Sequence, residues 1–537
     1  MHAPETTPHP HTSGLAGKTF TSVRRKDGGQ EGDAVNGDQR SLSSGDREVN
    51  TRVKTTAQGI PLVPQPSDDP DDPLNWSAFT KHAALVVLAF ESFLVKFSAT
   101  LIAPDALELA NEFGVHKSTA TYIGSAPPIL NAITSFFWIP LSHRIGRRPV
   151  LLIGNLIALA SAIGVARSQT YAQALSCRMV MTLGGSVGLS IAPAAISDMF
   201  FLHDKGSRMG VNSMLLVVGP YIGGVAGGSI AYSQALGWRW SMYIAAILYA
   251  VQFIAQVCFV PETTYTRDEN GTAVPNPSEQ KQNTFLSLLK FRIPAVPQHE
   301  TWAQTFRKPY KMFAYPTVVL PSFWFSVANM TEVGNTAGFA LNFGKDSRWQ
   351  FNLAQIGFCY FSGVIGAGLG EIFGGPLCDM LAKYSIRRGQ EWKPERLLHL
   401  VWTGLITISA GLLLYGLELE YGNSWASALT GIGLFTFGQE LLVTVLLTYM
   451  TDCYPDDAAE VAIVFQFFFA IQTFHVPFYL PQWLEGPGGP KVPYIVFAAL
   501  PVVLYPFCIW VFTWKGEQIR NRGPLLFKDG EPQSEAI

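Results

Sequence analysis

Leu141-Ser142-His143-Arg144-Ile145-Gly146-Arg147-Arg148-Pro149 is a nine-residue turn with three arginines, bounded on both sides by long apolar runs, 119–141 before it and 149–167 after. Three cations beside one Gly and one Pro, between blocks long enough to cross a lipid bilayer, place a tight basic turn at a membrane surface. Anchoring of cytoplasmic loops by positive charge accounts for the arginines but not for a second, related turn. After the apolar run 353–376 come Gly375-Pro376-Leu377-Cys378-Asp379 and then Arg387 and Arg388. A turn recurring between the second and third apolar blocks of each half indicates an internal duplication.

Outward from these turns, a span of about 20 apolar residues is the length a helix needs to cross the hydrocarbon core. That measure marks twelve spans: 81–103, 119–141, 149–167, 172–196, 210–232, 238–260, 314–336, 353–376, 397–417, 425–450, 459–482 and 493–514. The expected architecture is an all-α membrane protein with twelve transmembrane helices in two pseudo-symmetric six-helix bundles. Five segments follow: a disordered cytoplasmic tail over 1–79, a first bundle over 80–260, a central cytoplasmic loop over 261–313, a second bundle over 314–514 and a cytoplasmic tail over 515–537. The end of the central loop, Trp302 to Phe313, mixes aromatic and basic residues in the manner of a helix lying at the membrane surface.

Composition agrees with this reading. Charged residues make up 15% of the 537 residues, well below the roughly 25% of soluble proteins. The formal net charge of −2 offers no electrostatic basis for nucleic-acid binding. The six cysteines, Cys177, Cys258, Cys359, Cys378, Cys453 and Cys508, form no C-x-x-C pair and suggest neither a disulfide framework nor a metal site. No catalytic constellation and no phosphate-cradling G-x-x-x-x-G-K-[ST] loop is present, so neither an enzyme nor an ATP-driven pump is expected, and no cofactor beyond a proton gradient. Short-loop Lys and Arg place both termini on the cytosolic side, although the acidic loop Asp452 to Glu460 runs against the trend. In that orientation the glycosylation patterns at Asn75 and Asn270 face the cytosol and that at Asn329 falls inside a span, so none is expected to carry a glycan.

Several polar or small residues stand out inside the spans. Span 5 carries Gly219-Pro220-Tyr221-Ile222-Gly223-Gly224, with Gly227 beyond; Gly219, Gly223 and Gly227 share one bare helix face. Gly366, Gly370 and Gly374 repeat the pattern in span 8. Span 4 holds Arg178, which costs several kcal/mol at membrane depth unless it meets a cavity or an acid; an interfacial arginine is the other reading. Glu91 lies about 15 Å into span 1 at 1.5 Å per residue. A carboxyl withdrawn from water at that depth can take a proton from one side and release it to the other. Glu91 and Lys96 point about 140° apart at 100° per residue, which makes Arg178 the better partner for Glu91. Asn329, Glu332 and Asn335 in span 7, Gln439 and Glu440 in span 10 and His475 in span 11 are candidates to line a cavity. Acids exceed bases among them, which suits a cationic or amphipathic substrate.

With these residues in place, the chain resembles the major facilitator superfamily, whose loop between spans 2 and 3 reads G-x-L-x-D-R-x-G-R-R. Leu141, Arg144, Gly146, Arg147 and Arg148 match it, whereas Ile139 stands for the Gly and His143 for the Asp. In the second half Gly375, Leu377 and Asp379 match. The resemblance implies that His143, Arg144, Arg147, Arg148 and Asp379 form an inner latch between the halves. Gly219-Pro220-x-x-Gly223-Gly224 is similar to the antiporter motif of drug:proton antiporters, with Leu215 in place of its leading Gly. Arg178 resembles the span-4 arginine linked there to proton transfer. In the family fold span 5 packs on span 8, so the stripes Gly219/Gly223 and Gly366/Gly370/Gly374 are expected to meet as a pivot. Asp72-Pro73-Leu74-Asn75-Trp76 and Pro261-Glu262-Thr263 are similar to fungal members. The resemblance implies a monomeric plasma-membrane exporter of toxins, drugs or secondary metabolites, coupled to protons through Glu91 and Arg178. Its partners are a small-molecule substrate and membrane lipid, with no nucleic acid. An importer of an organic cation or polyamine, and a nutrient sensor on a transporter scaffold, are the alternatives.

Overall fold

A computed structural model describes residues 65–67, 69–70, 72–233, 237–265, 302–345, 347–388, 393–422, 424–454, 457–484 and 486–523. Residues 1–64 of the tail expected to be disordered over 1–79, the Asn270 pattern and most of the central loop lie outside them; within the rest of that tail Asp72 caps the turn Pro73–Asn75 and the first helix begins at Ala78. Twelve helices follow the spans in order. The first six are α1 Ala78–Thr100, α2 Pro128–Ile145, α3 Arg147–Ala166, α4 Tyr171–Gly185 with its continuations to Met199, α5 Leu202–Tyr232 and α6 Gly237–Phe259. The second six are α7 Pro316–Ala328 with Glu332–Phe343, α8 Leu353–Cys359 with Phe361–Arg387, α9 Val401–Tyr421, α10 Trp425–Cys453, α11 Ala458–Leu484 and α12 Lys491–Tyr505, prolonged by Val511–Asn521. The last helix therefore runs past residue 515, where the sequence suggested a tail.

Ten of these are long and apolar enough on their own to cross a membrane. α7 falls short because Asn329, Met330 and Thr331 leave the helix and split it. α2 falls short because it spends its last turn on His143 and Arg144. Local chemistry sets the ends. Ser77 caps α1 and Thr170 caps α4 through their hydroxyls. Asn352 and Gln355 form a capping box at α8. Gly146 alone joins α2 to α3 at φ 97°, a conformation any side chain would strain.

Each bundle encloses its own apolar interior: two clusters in the first half, and one in the second built on residues such as Trp324, Phe325 and Tyr449. Among the described residues the halves meet chiefly at three seams. α5 meets the start of α8, α2 lies along α11, and the turn Ala103–Asp105 beyond α1 meets the second piece of α7. The helix Trp302–Lys311 lies near the Arg144 end of α2. Trp302 faces the Arg144 guanidinium at 5.3 Å, and Tyr310 stacks on Phe136 at 5.0 Å. Phe136 also meets Phe313 and, at 5.6 Å, Phe467 of α11, so aromatic rings tie both bundles together here. The end of the molecule carrying Arg144–Arg148 is the basic face; the other is the far face.

Candidate functional site

α5 and α8 meet through reciprocal notches. The Tyr221 ring of α5 covers Gly363 of α8, and the Tyr360 ring of α8 covers Gly224 of α5. Farther toward the far face Gly228 lies against the Leu353 carbonyl and Gly357. Tyr360 also donates its hydroxyl to the Thr336 carbonyl of α7 at 2.7 Å. The expected meeting of glycine stripes is thereby corrected. Cβ atoms at Gly219, Gly223 and Gly227 would run into the Phe93, Phe97 and Leu101 carbonyls of α1. Those at Gly366 and Gly370 would run into α10 at Gly433, Thr436 and Glu440, while at Gly374 the neighbour is Thr444. The stripes seat each helix inside its own bundle, and the junction uses Gly224, Gly228, Gly357 and Gly363. Pro220 sits beside the seam, its carbonyl accepting from Thr100.

Glu91 is fully buried between α1, α4 and α6. Its Oε2 accepts from Gln256 at 3.2 Å, Gln252 lies within reach of the carboxylate, and Gly188 of α4 leaves room for its side chain. Gln256 is in turn paired with Asn155, and Gln252 donates to the Val87 carbonyl at 2.8 Å. Arg178 is not its partner, which corrects the pairing expected from the sequence. The guanidinium is buried as well, but its Nη2 donates to the Ser98 and Ala99 carbonyls, both at 2.6 Å, and so holds the last turn of α1. Tyr249, bonded to Ser98 at 3.0 Å, stands within electrostatic reach of both groups.

On the opposite face of α1, Lys96 looks across to the second bundle. It lies within electrostatic reach of Glu332 on α7 and Glu440 on α10. Gln439 is within hydrogen-bonding reach of Glu332, Glu371 of α8 acts on Glu440, and Tyr221 lies near both Glu332 and Glu440. Gly219 makes room for Lys96 against α5, and Gly370 makes room for Glu440 against α8. Two buried acceptors in this region have no donor, Gln439 Oε1 and Asn329 Oδ1. The Asn329 amide bonds back to the Phe325 carbonyl at 2.9 Å, at the break in α7. Two cavity candidates are engaged elsewhere. Asn335 accepts from Tyr494 of α12 at 3.0 Å, and His475 is held by Gln472 at 2.8 Å and stacks on Tyr479. Lys96 and Tyr221 were not among the sequence candidates. The 140° offset of Lys96 from Glu91 was the available signal, since it turns the ammonium out of the first bundle.

The latch residues also depart from expectation. Arg147 pairs with Asp198 at the end of α4, at 2.5 Å, and Arg148 donates to the Val257 carbonyl at 2.8 Å. The Glu262 carboxylate accepts from the backbone N–H groups of Arg147 and Arg148 at 2.9 and 3.1 Å, an anion seated on the α3 N-terminus. Arg147 and Arg148 thus bind within the first bundle. Arg144 reaches the helix Trp302–Lys311, His143 lies in the last turn of α2, and Asp379 is exposed on α8. Nearby, Asp72 accepts from the N–H and hydroxyl of Ser67 and from the Leu74 N–H, while Tyr265 donates to Asp69 at 3.0 Å. Burial pushes the Tyr265 phenol up. Among the described residues no group of three His, Cys, Asp or Glu could hold a metal ion.

Comparison with known proteins places this arrangement. The family model of the Major Facilitator Superfamily matches residues 88–477. The chain is 27% identical to the efflux pump FUBT of Fusarium oxysporum over 84% of its own length and 76% of that protein. It is 27% identical to the MFS-type transporter atr4 of Stereocaulon alpinum, covering 86% of this chain and 82% of that one. The MFS-type transporter penM of Penicillium rubens is 26% identical, with 84% and 88% covered. Among solved structures, a D-xylose-proton symporter superposes with a TM-score of 0.58 at 14% identity, over 81% of this chain and 97% of that chain, a likeness of fold.

Proposed function

This chain belongs to the major facilitator superfamily, and on that premise we propose that it exports a small organic molecule from the cytosol in exchange for protons. It is an integral multi-pass membrane transporter. The two bundles rock about the α5–α8 seam, with the basic face in the cytosol and the far face outside, in a monomer of the plasma membrane. Several relatives bear the name efflux pump, which supports export. The basic turn Arg144–Arg148 supports the orientation.

One observation carries the choice of site: Lys96 of the first bundle lies within electrostatic reach of Glu332 and Glu440 of the second, beside Gln439, whose Oε1 has no donor among the described residues. A cluster in which acceptors outnumber donors suits a substrate that brings an ammonium or other donors. Glu332 and Glu440 lie where rocking would open them to either side in turn, so they are the proton-exchanging acids of this reading. Glu91, fully buried and enclosed behind Gln252 and Gln256, is the competing position.

The test is substrate counterflow in proteoliposomes with an imposed pH gradient. Glu440→Gln is expected to abolish the response to the gradient while exchange at equal pH persists, and Glu91→Gln to leave that response in place. The reverse pattern would hand the proton to Glu91. Uptake driven by inward proton flow would make the protein an importer.

A further inference from the structure

Asp105 lies just past the end of α1, on the far face, in the short turn Ala103–Asp105. It is fully buried, and neither carboxylate oxygen has a hydrogen-bond donor among the described residues. It occupies the cap position of the helix Ala106–Phe113 yet accepts none of that helix's N–H groups. The turn is packed between α5, the second piece of α7 and the first turns of α8, where the halves touch on that face. The charged group acting on it is Glu108, a like charge on its own helix, beside which Lys345 and Glu112 stand. From α8 it meets the influence of Tyr360, the ring that fills the Gly224 notch. On the other two elements, Glu332 of α7 lies within reach of Lys96 and Gln439, Tyr221 of α5 covers Gly363, and Tyr232 at the far end of α5 is exposed.

A buried carboxylate that has no donor among the described residues, with a like charge beside it, is held at such a place as the neutral acid. We propose that Asp105 is a proton-binding site of the far-face gate: the seam closes over the protonated carboxyl and its ionised form favours the open gate. When α1 and α5 part from α7 and α8, water reaches the carboxylate. A proton from that side must bind before the seam can close again. The proton returns to the same side at the next opening, so the site times the return step and is distinct from the proton that drives transport. This rests on the rocking motion and on the far face being extracytoplasmic.

Cys359, buried on α8 beside Tyr360, is a native reporter of the seam. In cells expressing the full chain with its other five cysteines replaced by serine, a membrane-impermeant maleimide applied outside should label Cys359 when the gate opens. Labelling of the parent is expected to exceed that of Asp105→Asn roughly fivefold at neutral external pH and to match it in mild acid. Comparing the two chains at each pH removes the thiol's own pH dependence, and Asp105→Leu, with surface expression measured, serves if the asparagine variant folds poorly. A parent-to-variant ratio that stays the same at both pH values overturns the assignment while leaving the rocking motion standing. A parent chain unlabelled at every pH overturns both.

Discussion

Arg178 shows how one side chain fixes the geometry around a buried acid without touching it. Its guanidinium is committed to the Ser98 and Ala99 carbonyls, so removing it leaves two buried acceptors unpaired. Arg178→Ala should cost about 3 kcal/mol, seen as a lower melting temperature in detergent. Because Arg178 and Glu91 do not bond, combining Arg178→Ala with Glu91→Gln should give losses that add to within about 0.5 kcal/mol. A larger coupling energy would restore the ion pair that the sequence suggested. Lys96 is the opposite case, a cation whose partners belong to the other half. Lys96→Met should tighten binding of a cationic fluorescent probe roughly tenfold, since the tethered ammonium no longer answers Glu332 and Glu440. Weaker binding would mean that Lys96 itself receives an acidic group of the substrate.

Among the helices, glycines with the same spacing do different work according to the face they occupy. Gly223 meets backbone and Gly224 meets a ring. Gly223→Val should therefore abolish expression of folded protein, because the Phe97 carbonyl cannot retreat. Gly224→Ala should fold yet transport slowly, and adding Tyr360→Ala should restore part of the rate by emptying the opposing volume. Absence of that rescue in a counterflow assay would remove the notch from the moving joint. Helical periodicity made the two glycine faces visible but could not say which neighbour each one addressed. That depends on the rotation of α5 and α8 in their bundles, a property of packing between segments far apart in sequence. The same limit hid Asp105, whose significance lies in what surrounds it.

For the whole molecule, the apolar blocks and the duplicated turn were enough to read two bundles of six, since lipid admits few alternatives. What escaped was the assignment of charges to bundles: Arg147 and Arg148 bind inward, through their side chains to Asp198 and the Val257 carbonyl and through their backbone N–H groups to Glu262, instead of spanning the halves. Residues 1–64 precede the Ser67–Asp72 clip, so deleting them should leave flux unchanged; loss of signalling with no measurable flux in the intact chain would favour a sensor. The seat of Glu262 on the start of α3 carries a consequence for biosynthesis. The anion that completes that helix is separated from it by the whole of α4, α5 and α6, and the bond from Tyr265 to Asp69 closes an even longer circuit. Neither closure can form until a ribosome has delivered the sixth helix, so the leading bundle is stitched shut by its own last-made residues.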